Sequence, residues 1–242
     1  MVMVRDPAAV DKKLRQSLKE FWALREAAKQ RGKDKTGRGE AVSGQHLNPL
    51  TELLVDVIRE AGLSDAEYYR NRRATLPGFY RPSKQWDLVV VHKGKLSIAI
   101  ELKSQVGSYG NNFNNRIEEA LGSAVDLQTA IVEGALQDFT PGQGFHSPFR
   151  GWLMVLAEEE ASVRLGRPTN TLFPVDKDFL NEGKLISYVE RYRKFTSRLV
   201  QSKQYDAAAL ILVKKGTDEY KGYGLESFWR ELMFFSAKVA SI

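Results

Sequence analysis

Apolar residues spaced three and four apart open the chain. Val10, Leu14, Leu18, Phe21 and Leu24 form one stripe behind Asp6-Pro7, which predicts an amphipathic helix running to about Lys29. The period then stops over residues 31–44, RGKDKTGRGEAVSG, which reads as a basic loop. A second stripe, Leu50, Leu53, Leu54, Val57, Ile58 and Ala61, follows Asn48-Pro49 and ends at Gly62, a second helix with proline in its first turn and glycine just past its end. Residues 64–73 read as a short helical piece and 76–85 as a turn-rich segment. The pattern next becomes continuously apolar, predicting two strands, Trp86 to Val91 and Leu96 to Lys103, around a Lys93-Gly94 turn.

Beyond that hairpin, GSYGNNFNN reads as a loop leading into a long helix from about Arg116 to Leu136, with Ile117, Ala120, Leu121, Ala124, Leu127 and Ile131 on one side. A strand at 151–158, a helix near Lys184 to Ser202, a strand at 207–215 and a closing helix from about Leu225 to Val239 complete the chain. Strands alternating with helices in this way predict an α/β fold, a mixed β-sheet flanked by α-helices. At 242 residues, 1–242 is expected to form one domain.

Composition narrows the classes. A hydrophobic share of 43%, with four Trp, nine Tyr and twelve Phe, is enough for a packed core and excludes a disordered chain. Lys and Arg number 36 against 30 for Asp and Glu, and this modest basic excess favours a polyanionic partner such as nucleic acid. Cysteine is absent, which removes thiol nucleophiles, thiolate metal sites and disulfides. No apolar run approaches the ~18 residues of a membrane span, and a soluble, cytoplasmic protein without a membrane partner is expected.

The candidate chemistry lies on the predicted hairpin. Residues two apart on a strand share a face, so Glu101 and Lys103 project together with Ser97 and Ala99, while Leu96, Ile98, Ile100 and Leu102 fill the other side. Asp87 reaches Glu101 only in one register: a plain two-residue turn sets it opposite Ile100, whereas a longer connection or a bulge sets it opposite Glu101. Two adjacent carboxylates repel, and a hard divalent cation, Mg2+ where phosphates bind, resolves that repulsion. Lys103 beside the ion can hold a water or stabilise charge building on a phosphorus centre. These are the parts of metal-dependent phosphodiester hydrolysis. A purely structural salt bridge is the competing reading, and the tripeptide alone decides nothing, because Asp11-x-Lys13, Glu182-x-Lys184 and Glu219-x-Lys221 share it.

Glu52, on the second helix, reads either as an extra metal ligand or as a first-turn acid favoured by the helix dipole. Glu118 follows Asn115 by three residues and reads as the partner of a capping box. The three His, at 46, 92 and 146, have no ligand spacing, although His46 beside the basic loop is placed to touch a phosphate.

Asp87 followed by Glu101-x-Lys103 resembles the PD-(D/E)xK nuclease pattern. The run ELKSQVGSYGNNFNNRIEEALGSAVDL, from Glu101 to Leu127, is similar to the signature of the XhoI restriction endonuclease family. The resemblance covers most of the chain and is weakest after about Ala157; Trp86 replaces the superfamily's proline before the aspartate. It implies a restriction-endonuclease-like fold and a Mg2+-dependent type II restriction endonuclease acting on the palindrome CTCGAG in double-stranded DNA. Asp87 and Glu101 would be the metal ligands and Lys103 the catalytic lysine. A companion DNA methyltransferase is implied by the family alone. A nuclease of this fold acting on branched or damaged DNA, or an inactive DNA-binding regulator, are the alternatives.

A palindrome is read economically by a two-fold homodimer. Reading G requires a bidentate Arg, and reading A an Asn or Gln. Gln105, Asn111, Asn112, Asn114, Asn115 and Arg116 cluster just past the catalytic strand as candidate base readers, although Asn-rich loops are also good turn and cap formers, and Asn115 suits its helix cap. Arg70, Arg72 and Arg73 beside Tyr68 and Tyr69, and Lys33, Lys35 and Arg38 in the basic loop, read as phosphate clamps carrying no sequence information.

Overall fold

A computed structural model describes residues 7–33, 44–136, 147–167 and 171–242. Along the chain run α1 (Pro7–Lys33), α2 (Asn48–Glu60), β1 (Glu67–Arg70), β2 (Thr75–Pro77), β3 (Ser83–Gln85), β4 (Leu88–His92), β5 (Lys95–Gln105) and α3 (Tyr109–Val132). They are followed by β6 (Phe149–Glu158), the one-turn α4 (Glu160–Val163), β7 (Leu180–Asn181), β8 (Lys184–Leu185), α5 (Tyr188–Gln201), β9 (Ala207–Lys214), β10 (Tyr220–Tyr223) and α6 (Leu225–Ala240). The main sheet has the order β1-β4-β5-β6-β9-β10. Its centre, β5, β6 and β9, is parallel, and its margins pair antiparallel. Central parallel strands are covered on both faces, which is why LMVLA in β6 and AAALILV in β9 are apolar without alternation.

One face of the sheet, with Ile98, Ile100, Leu102 and Leu153, packs on Leu18 of α1, Leu54 of α2 and Phe228 of α6. The other, with Ala99, Trp152 and Met154, packs on Ala124 and Leu127 of α3 and Tyr192 of α5. The α/β architecture expected from the sequence, a mixed sheet flanked by helices, is therefore present.

Several local expectations are corrected. Residues 67–70 form an edge strand and not a helix, because Tyr68 and Tyr69 pack into opposite cores, a period of two. The segment read as turn-rich contains a two-stranded ribbon, β2 with β3. Helix α3 begins at Tyr109, so the expected Asn-rich loop is its first turns. Tyr109 and Phe113 extend the buried stripe upstream and pack on Tyr188 and Tyr192, and this burial outweighs the poor helix propensity of four asparagines. Asn115 and Glu118 lie inside the helix and form no cap; the residue preceding the helix is Ser108. Strand β10, unforeseen in the sequence, closes the far margin.

Candidate active site

The hairpin turn at Lys93-Gly94 has positive φ at both residues, 49° and 72°, the primed geometry that suits two-residue connections. Such a turn pairs His92 with Lys95 and Val91 with Leu96, a register that would level Asp87 with Ile100. The register shifts between Val90 and Val91. Val90 pairs with Ile98, Ser97 is the extra residue of a bulge, and Leu88 comes opposite Ile100. Asp87 is thereby level with Glu101. The bulge also turns Leu96 into the core beneath α3 with Ala99, away from Ile98, which corrects the expectation that all four even-numbered residues share a face.

At Asp87 the two strands part. Its amide still donates to Ile100 O at 3.2 Å, but the Trp86 amide has turned to Ala74 O at 2.8 Å. The Leu102 amide is met by the Asp87 carboxylate, Oδ2 at 2.7 Å. This splaying leaves the Asp87 carboxylate half-buried, just before the first paired residue of β4. Burial pushes the Asp87 carboxyl up, against the pull of the Leu102 amide and Lys103.

Glu101 is only 1% exposed. Its Oε1 meets Lys103 Nζ at 2.9 Å and Lys84 Nζ at 3.1 Å, and its Oε2 accepts from the Tyr205 hydroxyl at 3.2 Å. Burial opposes its ionisation, but the two ammonium groups outweigh burial and hold its pKa below the usual range. Burial likewise works against the Lys103 charge, and Glu101 and Asp87 overcome it, raising the lysine. Lys103 also faces Glu119 of α3 at 3.6 Å, which Arg116 holds at 2.7 Å.

The structure thus brings Asp87, Glu101 and Lys103 together, and adds Lys84, Tyr205 and Glu119, which the sequence reading missed. Two converging carboxylates without sulfur or imidazole suit a hard divalent cation. No group of three or more His, Asp or Glu among the described residues could hold a metal ion, so the remaining ligands would be water, backbone or substrate oxygens, as Mg2+ tolerates. Two of the other three acid-x-Lys tripeptides have ordinary partners: Lys13 pairs with Asp56 and Glu60, and Lys221 with Glu158, all at the surface.

The remaining candidates separate. Glu52 is exposed and ion-paired with Arg70 on the edge strand. Gln105, a candidate base reader, is 3% exposed; its amide nitrogen donates to Gly107 O and Ser108 O, and its oxygen accepts from the Tyr192 hydroxyl. Asn111, Asn114 and Asn115 are exposed on α3, with Asn112 and Arg116 half-buried. Arg72 and Arg73 are exposed on a 3-10 turn after β1. His46 bonds Ser104 Oγ at 2.9 Å, one residue past Lys103. Lys35, Arg38 and His146 lie outside the described residues.

A family model described as restriction endonuclease XhoI matches residues 27–224. The chain is 40% identical over 204 residues to the type II restriction enzyme XhoI of Xanthomonas vasicola, covering 82% of this chain and 78% of that one. It is 43% identical over 177 residues to the type II restriction enzyme AbrI of Azospirillum brasilense, covering 71% and 77%. It is 34% identical over 190 residues to the type II restriction enzyme BstVI of Geobacillus stearothermophilus, covering 76% and 80%. No solved structure matches it.

Proposed function

The chain belongs to the XhoI restriction endonuclease family and is a type II restriction enzyme, and from that premise we propose that it cuts both strands of duplex DNA at CTCGAG, with Mg2+, through Asp87, Glu101 and Lys103. The observation that carries this reading is the convergence of two carboxylates and an ammonium where β4 leaves β5. Mg2+ held there would neutralise phosphate charge and acidify an attacking water. Asp87, anchored through Oδ2 to the Leu102 amide, would be left with Oδ1 to hold the ion. Tyr205 fixes Oε2 of Glu101 and so orients the second carboxylate. Lys103 positions the water and stabilises the negative charge that develops on the phosphorus oxygens.

Palindromic recognition implies a homodimer of one-domain subunits, each reading a half-site. In the cell the enzyme would act in the cytoplasm beside a methyltransferase that protects the same sequence. Among the described residues no helix is long and apolar enough to cross a membrane. The deciding experiment is digestion of a sequenced plasmid with and without Mg2+. Discrete fragments whose ends map to CTCGAG support the proposal. Fragments mapping elsewhere overturn the target, and shifted but uncut DNA in Mg2+ overturns the reaction.

A further inference from the structure

The charged cluster contains a second lysine. Lys84, on the β2–β3 ribbon, places Nζ 3.1 Å from the same Glu101 oxygen that Lys103 meets, with its side chain 13% exposed. Its ammonium lies 4.8 Å from the centre of the Trp86 ring and 3.3 Å from Gln85 O. The ribbon that presents it is clamped. Asp126 of α3, itself buried, accepts from the amides of Phe79 and Tyr80 at 2.9 and 2.8 Å and from Arg81 Nε at 2.7 Å. Gly78 makes this fit possible, since a Cβ there would stand 2.6 Å from both Arg81 O and Asp126 Oδ2. Buried carboxylate, bound loop amides and a glycine cradle together hold the lysine beside Glu101.

We infer that Lys84 binds the phosphate being cut, as a second phosphate-facing ammonium beside Lys103. The inference rests on the nuclease reading above. Without DNA the cluster is balanced, with Asp87 and Glu101 against Lys84 and Lys103. A divalent cation on the carboxylates would add two positive charges at close range, and an entering anion would restore the balance. Lys103 has another acid to turn to, Glu119 at 3.6 Å. Among the described residues Lys84 forms no ion pair other than that with Glu101, and the indole face beneath its ammonium attracts the charge without neutralising it. The arriving phosphodiester oxygen is the anion that takes the place of Glu101.

The test measures binding of a duplex carrying the sequence the wild-type enzyme cuts, with Ca2+ replacing Mg2+. Each duplex carries either a normal or a methylphosphonate linkage at the scissile position. Lys84→Met keeps an unbranched side chain of similar length and removes the charge. Its affinity for the normal duplex is expected to fall about tenfold, as for loss of one charge-assisted hydrogen bond, and its penalty for the neutral linkage to shrink by the same factor. Lys84→Arg should retain both affinity and the full penalty. An equal penalty in wild type and Lys84→Met, or unchanged affinity in the latter, overturns the inference. If Lys84→Met fails to fold, Lys84→Gln is read in the same way. Wild-type cleavage in Mg2+ is the separate control: its absence overturns the nuclease reading, whereas equal penalties with cleavage intact overturn Lys84 alone.

Discussion

Lys103 and Gln105, two residues apart on β5, carry contrasting expectations. Lys103→Ala should lower the cleavage rate by roughly 10²-fold or more while sequence-specific binding persists, because the lost charge acts on the reaction. Single-turnover cleavage beside a binding titration checks this. Gln105→Leu should cost about 1–3 kcal/mol of unfolding free energy, because it removes the donor to the Gly107 carbonyl and the acceptor of the Tyr192 hydroxyl, the Ser108 carbonyl keeping the Asn112 amide, without changing the sequence cut. Chemical denaturation and fragment mapping together separate the two outcomes. Asp126 carries a pH signature. Burial opposes its charge, but the Tyr80 and Phe79 amides and Arg81 prevail, so its folded pKa lies below the unfolded one. The stability it contributes is complete above the ordinary aspartate range, about 4, and is lost as pH falls through the folded pKa. Asp126→Asn should therefore be less stable at neutral pH and lose less on acidification, as melting curves across pH would show. The acid and lysine of β5 were legible from the sequence because an apolar strand makes charges conspicuous. Lys84 and Tyr205 were not, since each meets Glu101 only through tertiary folding.

Helix α3 shows where local propensity misleads. Four asparagines in nine residues read as a loop, yet Tyr109 and Phe113 supply the apolar anchors of two more helical turns. Asn115 is thus an exposed interior position, and Asn115→Ala should stabilise the protein by roughly 0.5 kcal/mol, where loss of a true cap would cost about 1. Denaturation midpoints distinguish the two signs. The hairpin is the opposite case: face alternation and turn geometry together required an irregularity before Asp87 could meet Glu101, and a bulge at Ser97 supplies it. What no periodicity revealed was that the strands separate immediately afterwards, because that depends on Trp86 finding Ala74 from another part of the chain.

Over the whole molecule, element order and class were readable because long helices and continuously apolar strands leave strong patterns, whereas the short pieces β1, β2, β3 and β10 offered too few residues for a period to register. The basic excess should show as a steep salt dependence of DNA affinity, the log–log slope being about −0.9 per phosphate neutralised. Lys35→Ala or Arg38→Ala should weaken cognate and random duplex alike and flatten that slope, as titrations at several salt concentrations would show. The Leu102 amide has its own consequence. Because the acid at position 87 also supplies the last stitch between two strands, truncating it would loosen the hairpin along with disarming it. A silenced copy meant to mark genomic sites is better made as Asp87→Asn, whose side-chain oxygen still ties that stitch.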